Sequence, residues 1–279
     1  MNNKVTLEKL EKILEKTERS TLKDVVHIKV SSEIPALFDS KFGGIPYLPP
    51  DKELPIDKDG NKLKLLAQIN FEQVPHLDIF PKEGILQFFI GTDDLYGLDF
   101  DNQTNQDGFK VIYHEFVDLS INEEDIKMRI EEYEVEDFPF EEEYKVEFNL
   151  SKEKISTDDY RFDEEGFIKE FNKEFPSIKV SELFELYDLY EDIYIELFEN
   201  KYPNKHKIGG YPFFTQGDPR GYKEDLKRFD TLLLQIDSEY QNTDVDIMWG
   251  DSGVCNFFIN SQDLKNKDFS KVVYNWDCY

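Results

Sequence analysis

Phe42-Gly43-Gly44-Ile45-Pro46-Tyr47 is written again as Ile208-Gly209-Gly210-Tyr211-Pro212-Phe213. Working outward, Leu65-Leu66-Ala67-Gln68-Ile69-Asn70 returns as Leu232-Leu233-Leu234-Gln235-Ile236-Asp237. Gly84-Ile85-Leu86-Gln87-Phe88-Phe89-Ile90 returns as Gly253-Val254-Cys255-Asn256-Phe257-Phe258-Ile259, and Val111-Ile112-Tyr113 as Val272-Val273-Tyr274. Four blocks in one order, at offsets of 161 to 169, predict a duplicated structural unit. Repeat A is expected over about 42–118 and repeat B over about 206–279, joined by pseudo-two-fold symmetry in a single compact domain spanning 1–279.

Side chains alternate along a strand, so Leu65, Ala67 and Ile69 are expected on one face and Leu66, Gln68 and Asn70 on the other. Repeat B keeps that parity with Leu232, Leu234 and Ile236 against Leu233, Gln235 and Asp237. The next strand sets Leu86, Phe88 and Ile90 against Ile85, Gln87 and Phe89, matched by Cys255, Phe257 and Ile259 against Val254, Asn256 and Phe258. The amides Gln68, Gln87, Gln235 and Asn256 either satisfy backbone groups or line a shared pocket near the pseudo-axis. Each Gly-Gly-x-Pro reads as a sharp turn at positive φ followed by extended chain, and it lacks the strand and helix context of a phosphate loop.

The remainder is not duplicated. Thr6 is expected to cap a helix over 5–18 with Leu7, Leu10, Ile13 and Leu14 on its apolar face, and Val25 to Val30 to form a strand. An acidic and helical insert covers about 119–205. In it Glu143 to Leu150 alternates as a strand, with Tyr144, Val146 and Phe148 on one side. Ser181 to Asn200 is predicted as a helix whose stripe of Leu183, Leu186, Leu189 or Tyr190, Ile193 and Leu197 packs on the duplicated sheet.

A formal charge of -27, from 60 acidic against 33 basic residues, repels phosphate backbones and anionic lipid, so neither nucleic acid nor membrane is an expected partner. Acid concentrates from Glu115 to Glu147, against Lys127, Arg129 and Lys145 alone. That stretch is either a solvated face or a docking surface for a basic protein, with Glu131, Glu141, Glu142 and Glu143 steering and Tyr133, Phe138 and Phe140 as anchors. Cys255 and Cys278 are too few for a disulfide scaffold. With no apolar leader or membrane-length apolar run, a cytoplasmic location is expected.

No reaction is identified. Gly250-Asp251-Ser252-Gly253 imitates a nucleophile loop, but Gly253-Val254 opens a duplicated strand and His27, His76, His114 and His206 sit in no base motif. Asp99, Asp101, Gln103, Asn105 and Asp107 alternate as a calcium loop would, yet Thr104 stands where the turn needs Gly and Lys110 where the last carboxylate belongs. No metal or other cofactor is expected.

The copies differ in their loops. Repeat B alone carries Gln216-Gly217-Asp218-Pro219-Arg220 and Trp249-Gly250-Asp251. Gln216, Asp218, Arg220, Trp249 and Asp251, with Gln68 and Gln235, are the candidate ligand-binding residues. The plainer alternative is a structural ion pair between Arg220 and Asp251 near Trp249.

Phe42-Gly-Gly-Ile-Pro-Tyr, Ala67-Gln-Ile-Asn, Gly84-Ile-Leu-Gln-Phe-Phe-Ile, Ile208-Gly-Gly-Tyr-Pro, Gln216-Gly-Asp-Pro-Arg, Leu234-Gln-Ile-Asp, Trp249-Gly-Asp-Ser-Gly and Tyr274-Asn-Trp-Asp-Cys together resemble the YwqG-like family of uncharacterised bacterial proteins. The resemblance covers roughly residues 30 to 279. It implies a soluble bacterial α+β protein, a mostly antiparallel β-roll with appended helices. It brings no activity, cofactor or catalytic residue, and it favours a binding or immunity role. The alternative is a small-molecule-binding protein or an enzyme working in the repeat B loops, with Arg220 holding an anion and Asp218 or Asp251 as base.

Overall fold

Period-two alternation gives each strand an inner and an outer face, and the observed strands carry apolar side chains on both. The computed structural model describes residues 4–18, 21–130, 135, 137–199, 206–240 and 244–279. In chain order the elements are α1 (Leu7–Thr17), β1 (Lys23–Ser31), β2 (Lys41–Phe42), β3 (Lys64–Asn70), β4 (Ile85–Ile90), β5 (Phe109–His114) and α2 (Glu123–Arg129). They continue with β6 (Tyr144–Glu153), α3 (Glu164–Glu174), α4 (Leu183–Tyr194), β7 (Lys207–Gly209), α5 (Pro219–Tyr222), β8 (Thr231–Asp237), β9 (Val254–Ile259), α6 (Ser261–Lys265) and β10 (Val272–Asp277). The ten strands form one sheet, in the order β10-β9-β8-β7-β1-β6-β2-β3-β4-β5, with antiparallel pairings throughout.

That sheet curls into a nearly closed antiparallel barrel, giving an α+β fold with appended helices. Phe88 of β4 meets Phe257 of β9 with ring centroids 4.8 Å apart, and Phe109 of β5 meets Tyr274 of β10 at 5.1 Å. The Tyr274 amide donates to the Gln103 carbonyl at 2.9 Å, across the seam between the two edges. The apolar interior runs through every long strand, from Val26 and Ile28 to Val272 and Tyr274.

Read from either edge the strand order has the same form, with β5-β4-β3-β2-β6 mirrored by β10-β9-β8-β7-β1. Registers agree as well: Gln68 pairs with Gln87 and Gln235 with Asn256, while Ala67 pairs with Phe88 and Leu234 with Phe257. Both β3 and β8 slip by one residue, between Leu65 and Ala67 and between Leu232 and Leu234. This bulge corrects the simple parity. Leu66 and Ala67 both join the interior while Leu65 turns outward with Phe89, and Leu233 and Leu234 do the same while Leu232 turns toward Phe258. The fourth block is corrected too, since Phe88 faces Val111 whereas Phe257 faces Tyr274, so Val111 is level with Tyr274 and not with Val272.

Outer layers cover both flanks of the barrel. Leu37, Leu48 and Ile126 of α2 form one small cluster, with Leu54 reaching to Leu63, Leu65 and Phe89 in the next. Phe214, Leu226 and Phe229 cover Leu232, Phe258 and Val273. A further core joins Leu10, Ile13 and Leu14 of α1 with Phe167, Ile168 and Phe171 of α3 and Leu183 and Leu186 of α4. The expected packing of the α4 stripe on the sheet is therefore corrected: its neighbours are α1 and α3, and Leu189 is exposed. α4 bends at Tyr190 (φ -146, ψ 49) and runs into a π-helical turn, Ile195–Glu199. Thr6 occupies the N-cap position of α1 without a side-chain capping bond, so the cap rests on the Thr6 carbonyl, which accepts from Lys9 and Leu10. Among the described residues, no helix is long and apolar enough to cross a membrane.

Candidate functional site

The matched amides tie the Gly-Gly-x-Pro segments onto the outside of the barrel. Tyr47 donates its backbone amide to Gln68 Oε1 at 2.8 Å, and the Tyr47 carbonyl accepts from Gln87 Nε2 at 2.8 Å. In the other half, the Phe213 amide donates to Gln235 Oε1 at 2.8 Å, and its carbonyl accepts from Asn256 Nδ2 at 2.8 Å. A proline cannot donate, so an extended segment that follows one needs side-chain partners for its few remaining groups. Gln68 and Gln235 are thus each engaged under a separate segment and do not converge on a shared pocket.

A buried lysine precedes each glycine pair. Lys41 donates to the Ala36 carbonyl at 3.3 Å, and burial lowers its pKa to about 8 even though Glu143 opposes the shift. Lys207 bonds Glu153 at 3.2 Å; burial lowers its pKa, with Glu153 again opposing. Gly44 at φ +73 and Gly210 at φ +68 leave room for the Glu143 and Glu153 carboxylates, which a Cβ at either position would strike. Glu153 also accepts from the Tyr211 amide.

The loop from Gln216 to Arg220 builds an ion-pair lock. Gly217 (φ 107) turns the chain, and Asp218 then caps the one-turn α5 by accepting from the Arg220 amide at 2.9 Å. The Arg220 guanidinium is fully buried. Its Nε donates to Asp218 Oδ1 at 2.9 Å and its Nη2 to Asp218 Oδ2 at 2.6 Å and Asp159 Oδ2 at 3.3 Å. Nη1 donates to the Phe229 carbonyl at 3.2 Å, and the group lies 3.9 Å from the Phe258 ring centroid. Asp159 is shared with Arg161, whose Nε donates to Asp159 Oδ1 at 2.7 Å. Burial raises the Asp159 pKa, but the Arg161 hydrogen bond and the Arg220 charge outweigh it and hold the carboxyl below its ordinary value. Two guanidinium groups and two carboxylates balance, and every nitrogen of Arg220 is in use.

Arg220 and Trp249 are therefore not neighbours in one site, and the expected Arg220–Asp251 ion pair is replaced by pairs to Asp218 and Asp159. Trp249 belongs to the barrel interior, with ring centroids 5.5 Å from Tyr96 and 6.3 Å from Trp276. Asp251 is exposed and accepts the Tyr279 amide on its carbonyl at 3.1 Å. Gln216 meets the same C-terminal stretch, donating its amide to Asp277 at 3.0 Å and its Nε2 to the Cys278 carbonyl at 2.7 Å. The structure thus brings Gln216 and Asp251 to the C-terminal tail and sends Arg220 to the outer layer and Trp249 to the interior.

The acidic segment divides similarly. Glu131 and Tyr133 lie outside the described residues, while Glu141 and Glu142 are exposed and Glu143 half-buried. Phe138 and Phe140 are corrected from surface anchors to core: both pack on the interior cluster, Phe140 is buried, and their rings meet edge-on at 5.1 Å. The exposed apolar side chains nearby are others, Phe116 at 86%, Leu119 at 74% and Met128 at 78%. Ile126 is buried and fastens α2 to Leu37 and Leu48. Arg129 is bound to the carbonyls of Leu48, Pro49 and Lys52, which removes it from the neighbouring acids.

Sequence reasoning missed Asp159 and Arg161, which occupy the insert with no repeat counterpart to mark them, and it missed Phe116, Leu119 and Met128, whose period fits no helix or strand. Among the described residues, no three His, Cys, Asp or Glu side chains are grouped to hold a metal ion. A family model described as "Domain of unknown function (DUF1963)" matches residues 40–278. No curated protein matches the chain.

Proposed function

Because the chain belongs to the DUF1963 family, a family defined without an activity, we propose a function from its surface: it is a binding protein, not a catalyst, that engages a basic protein partner. We further propose that the barrel is one body made of two copies of a β unit, a reading supported by the mirrored strand order and the shared bulges of β3 and β8.

The observation that carries the binding reading is the exposure of Phe116, Leu119 and Met128, which alternate along the chain with Glu115, Asp118, Glu123, Glu124 and Asp125. Large apolar side chains left in water beside like charges suit a partner that presents cations around an apolar ridge. Lys127 bonds Glu123 at 2.6 Å, Lys267 bonds Glu115 and Arg129 is occupied, so the positive charge beside this stretch is already paired. The net charge of -27 supplies long-range steering.

A Lys/Leu amphipathic helical peptide, followed by fluorescence anisotropy, tests this reading. It should bind at low salt and weaken by about tenfold or more at high salt, because screening shortens the reach of exposed charges. A Phe116→Ser, Leu119→Ser, Met128→Ser variant, which keeps every charge, should lose binding at both salt levels. Equal binding by that variant would reduce the segment to a solvated acidic face. Glu141→Gln with Glu142→Gln should slow association and leave the melting temperature nearly unchanged, since exposed carboxylates contribute little to folding.

A further inference from the structure

The two glycine pairs differ in what covers them. In the first half, Phe138-Pro139-Phe140 fills the space beside Gly43 and Gly44: a Cβ at Gly43 would stand 2.9 Å from Phe140 Cε2, and Lys64 Nζ lies 4.2 Å from the Phe138 ring centroid. The connection between β8 and β9 closes that space, its Met248 amide donating to the Pro139 carbonyl at 2.7 Å. The registers of β3 and β8 equate Lys64 and Leu65 with Thr231 and Leu232. In the second half Leu77 of the β3–β4 connection covers Gly209, its Cδ1 standing 3.2 Å from where a Cβ would be, and Leu77 and Phe80 with Gly209, Gly210, Thr231 and Leu232 bound a cavity of about 200 Å³.

Its charges are specific. Lys23, at the start of β1, and Asp78 both line the cavity. Lys23 Nζ lies 4.5 Å from the Tyr211 ring centroid, and burial lowers its pKa, so a carboxylate placed beside it would relieve the cost of its half-buried charge. Asp24 also lines the cavity, but its carboxylate is held by Lys152 at 2.6 Å. Asp78 is exposed and offers a carboxylate. A purely anionic ligand would meet the repulsion of a chain with net charge -27, whereas a zwitterion approaches without it. An apolar cavity of about 150 Å³ holds a benzene ring, so the space suits one ring with a short polar end.

We propose that this cavity binds a free aromatic amino acid, its ring against Leu77, Phe80 and Leu232 much as Phe138 and Phe140 of the insert pack beside Gly43 and Lys64, its carboxylate on Lys23 and its ammonium on Asp78. The inference rests on the correspondence between the halves proposed above and is independent of any basic partner at residues 115–128.

The test is amide-resonance titration of the full chain with L-phenylalanine, 3-phenylpropionate and 2-phenylethylamine. L-Phenylalanine should shift the resonances of Leu77, Phe80, Gly209 and Gly210, and each analogue lacking one charge should bind about tenfold more weakly. In Lys23→Met, L-phenylalanine and 2-phenylethylamine should bind alike; in Asp78→Asn, L-phenylalanine and 3-phenylpropionate should. Should Lys23→Met fail to fold, the analogue series on the unaltered chain and Asp78→Asn still decide. No shift at those four residues, or equal affinity for all three compounds, overturns the proposal. Such a failure leaves the strand correspondence to be judged separately, by the amide variants described below.

Discussion

Replacing Arg220 with Ala removes a side chain that bonds both Asp218 and Asp159 through the buried outer layer. Asp159 keeps Arg161, and Asp218 keeps the backbone amides of Tyr160 and residue 220 but no cation, so the damage falls on a buried carboxylate left without its counter-charge and on a cavity beside Phe258. Breaking one side of a buried ion pair costs about 3 to 5 kcal/mol. At about 2 to 4 °C per kcal/mol for chains of this size class, the melting temperature should fall by roughly 6 to 20 °C. The sign of the pH dependence follows from Asp159. Its folded pKa lies below the ordinary 3.8, so its ion pairs contribute full stability above that value and lose it as pH falls through the lower folded value. Without Arg220 the Asp159 carboxyl loses one of the two cations that hold it down, and the deficit should therefore be greatest near neutral pH and shrink on acidification. Urea unfolding of both proteins across that range measures it. A loss below about 1 kcal/mol, typical of an exposed pair, would refute the lock.

Gln68→Leu and Gln235→Leu should each cost about 1 to 3 kcal/mol, because each strands the buried amide of Tyr47 or Phe213; chemical denaturation that showed only one of them to matter would argue against equivalent halves. Asp237 stands where repeat A has Asn70, and burial pushes its pKa up to about 6. The folded state then binds more protons than the unfolded chain between 3.8 and about 6, so stability is lost as pH rises through that window. Asp237→Asn should accordingly raise the melting temperature above pH 6 and change it little below the ordinary carboxylate range, as scanning calorimetry would show.

The strands of the barrel were legible in the sequence blocks, since period-two alternation marks β3, β4, β8 and β9, and Gln68 pairs with Gln87 as Gln235 pairs with Asn256. The bulges escaped notice because a one-residue slip leaves no trace in composition, yet it moves Leu65 and Leu232 to the opposite face. Phe138 and Phe140 looked like surface anchors on account of their acidic neighbours, but space above Gly43, which only a missing side chain provides, draws them inward. Arg220 was recognisable as special from its loop. Its partner Asp159 lies 61 residues away in the insert, beyond the reach of local pattern.

The binding claim is tested most directly by placing a photo-crosslinking phenylalanine at position 116 and, separately, at Phe184, an equally apolar exposed site on α4. The account predicts that position 116 alone captures a basic protein from native lysate, and that Asp118→Asn, Glu123→Gln and Glu124→Gln together abolish that capture without unfolding the chain. Indistinguishable products from positions 116 and 184, or capture that persists after the charges are removed, would contradict it.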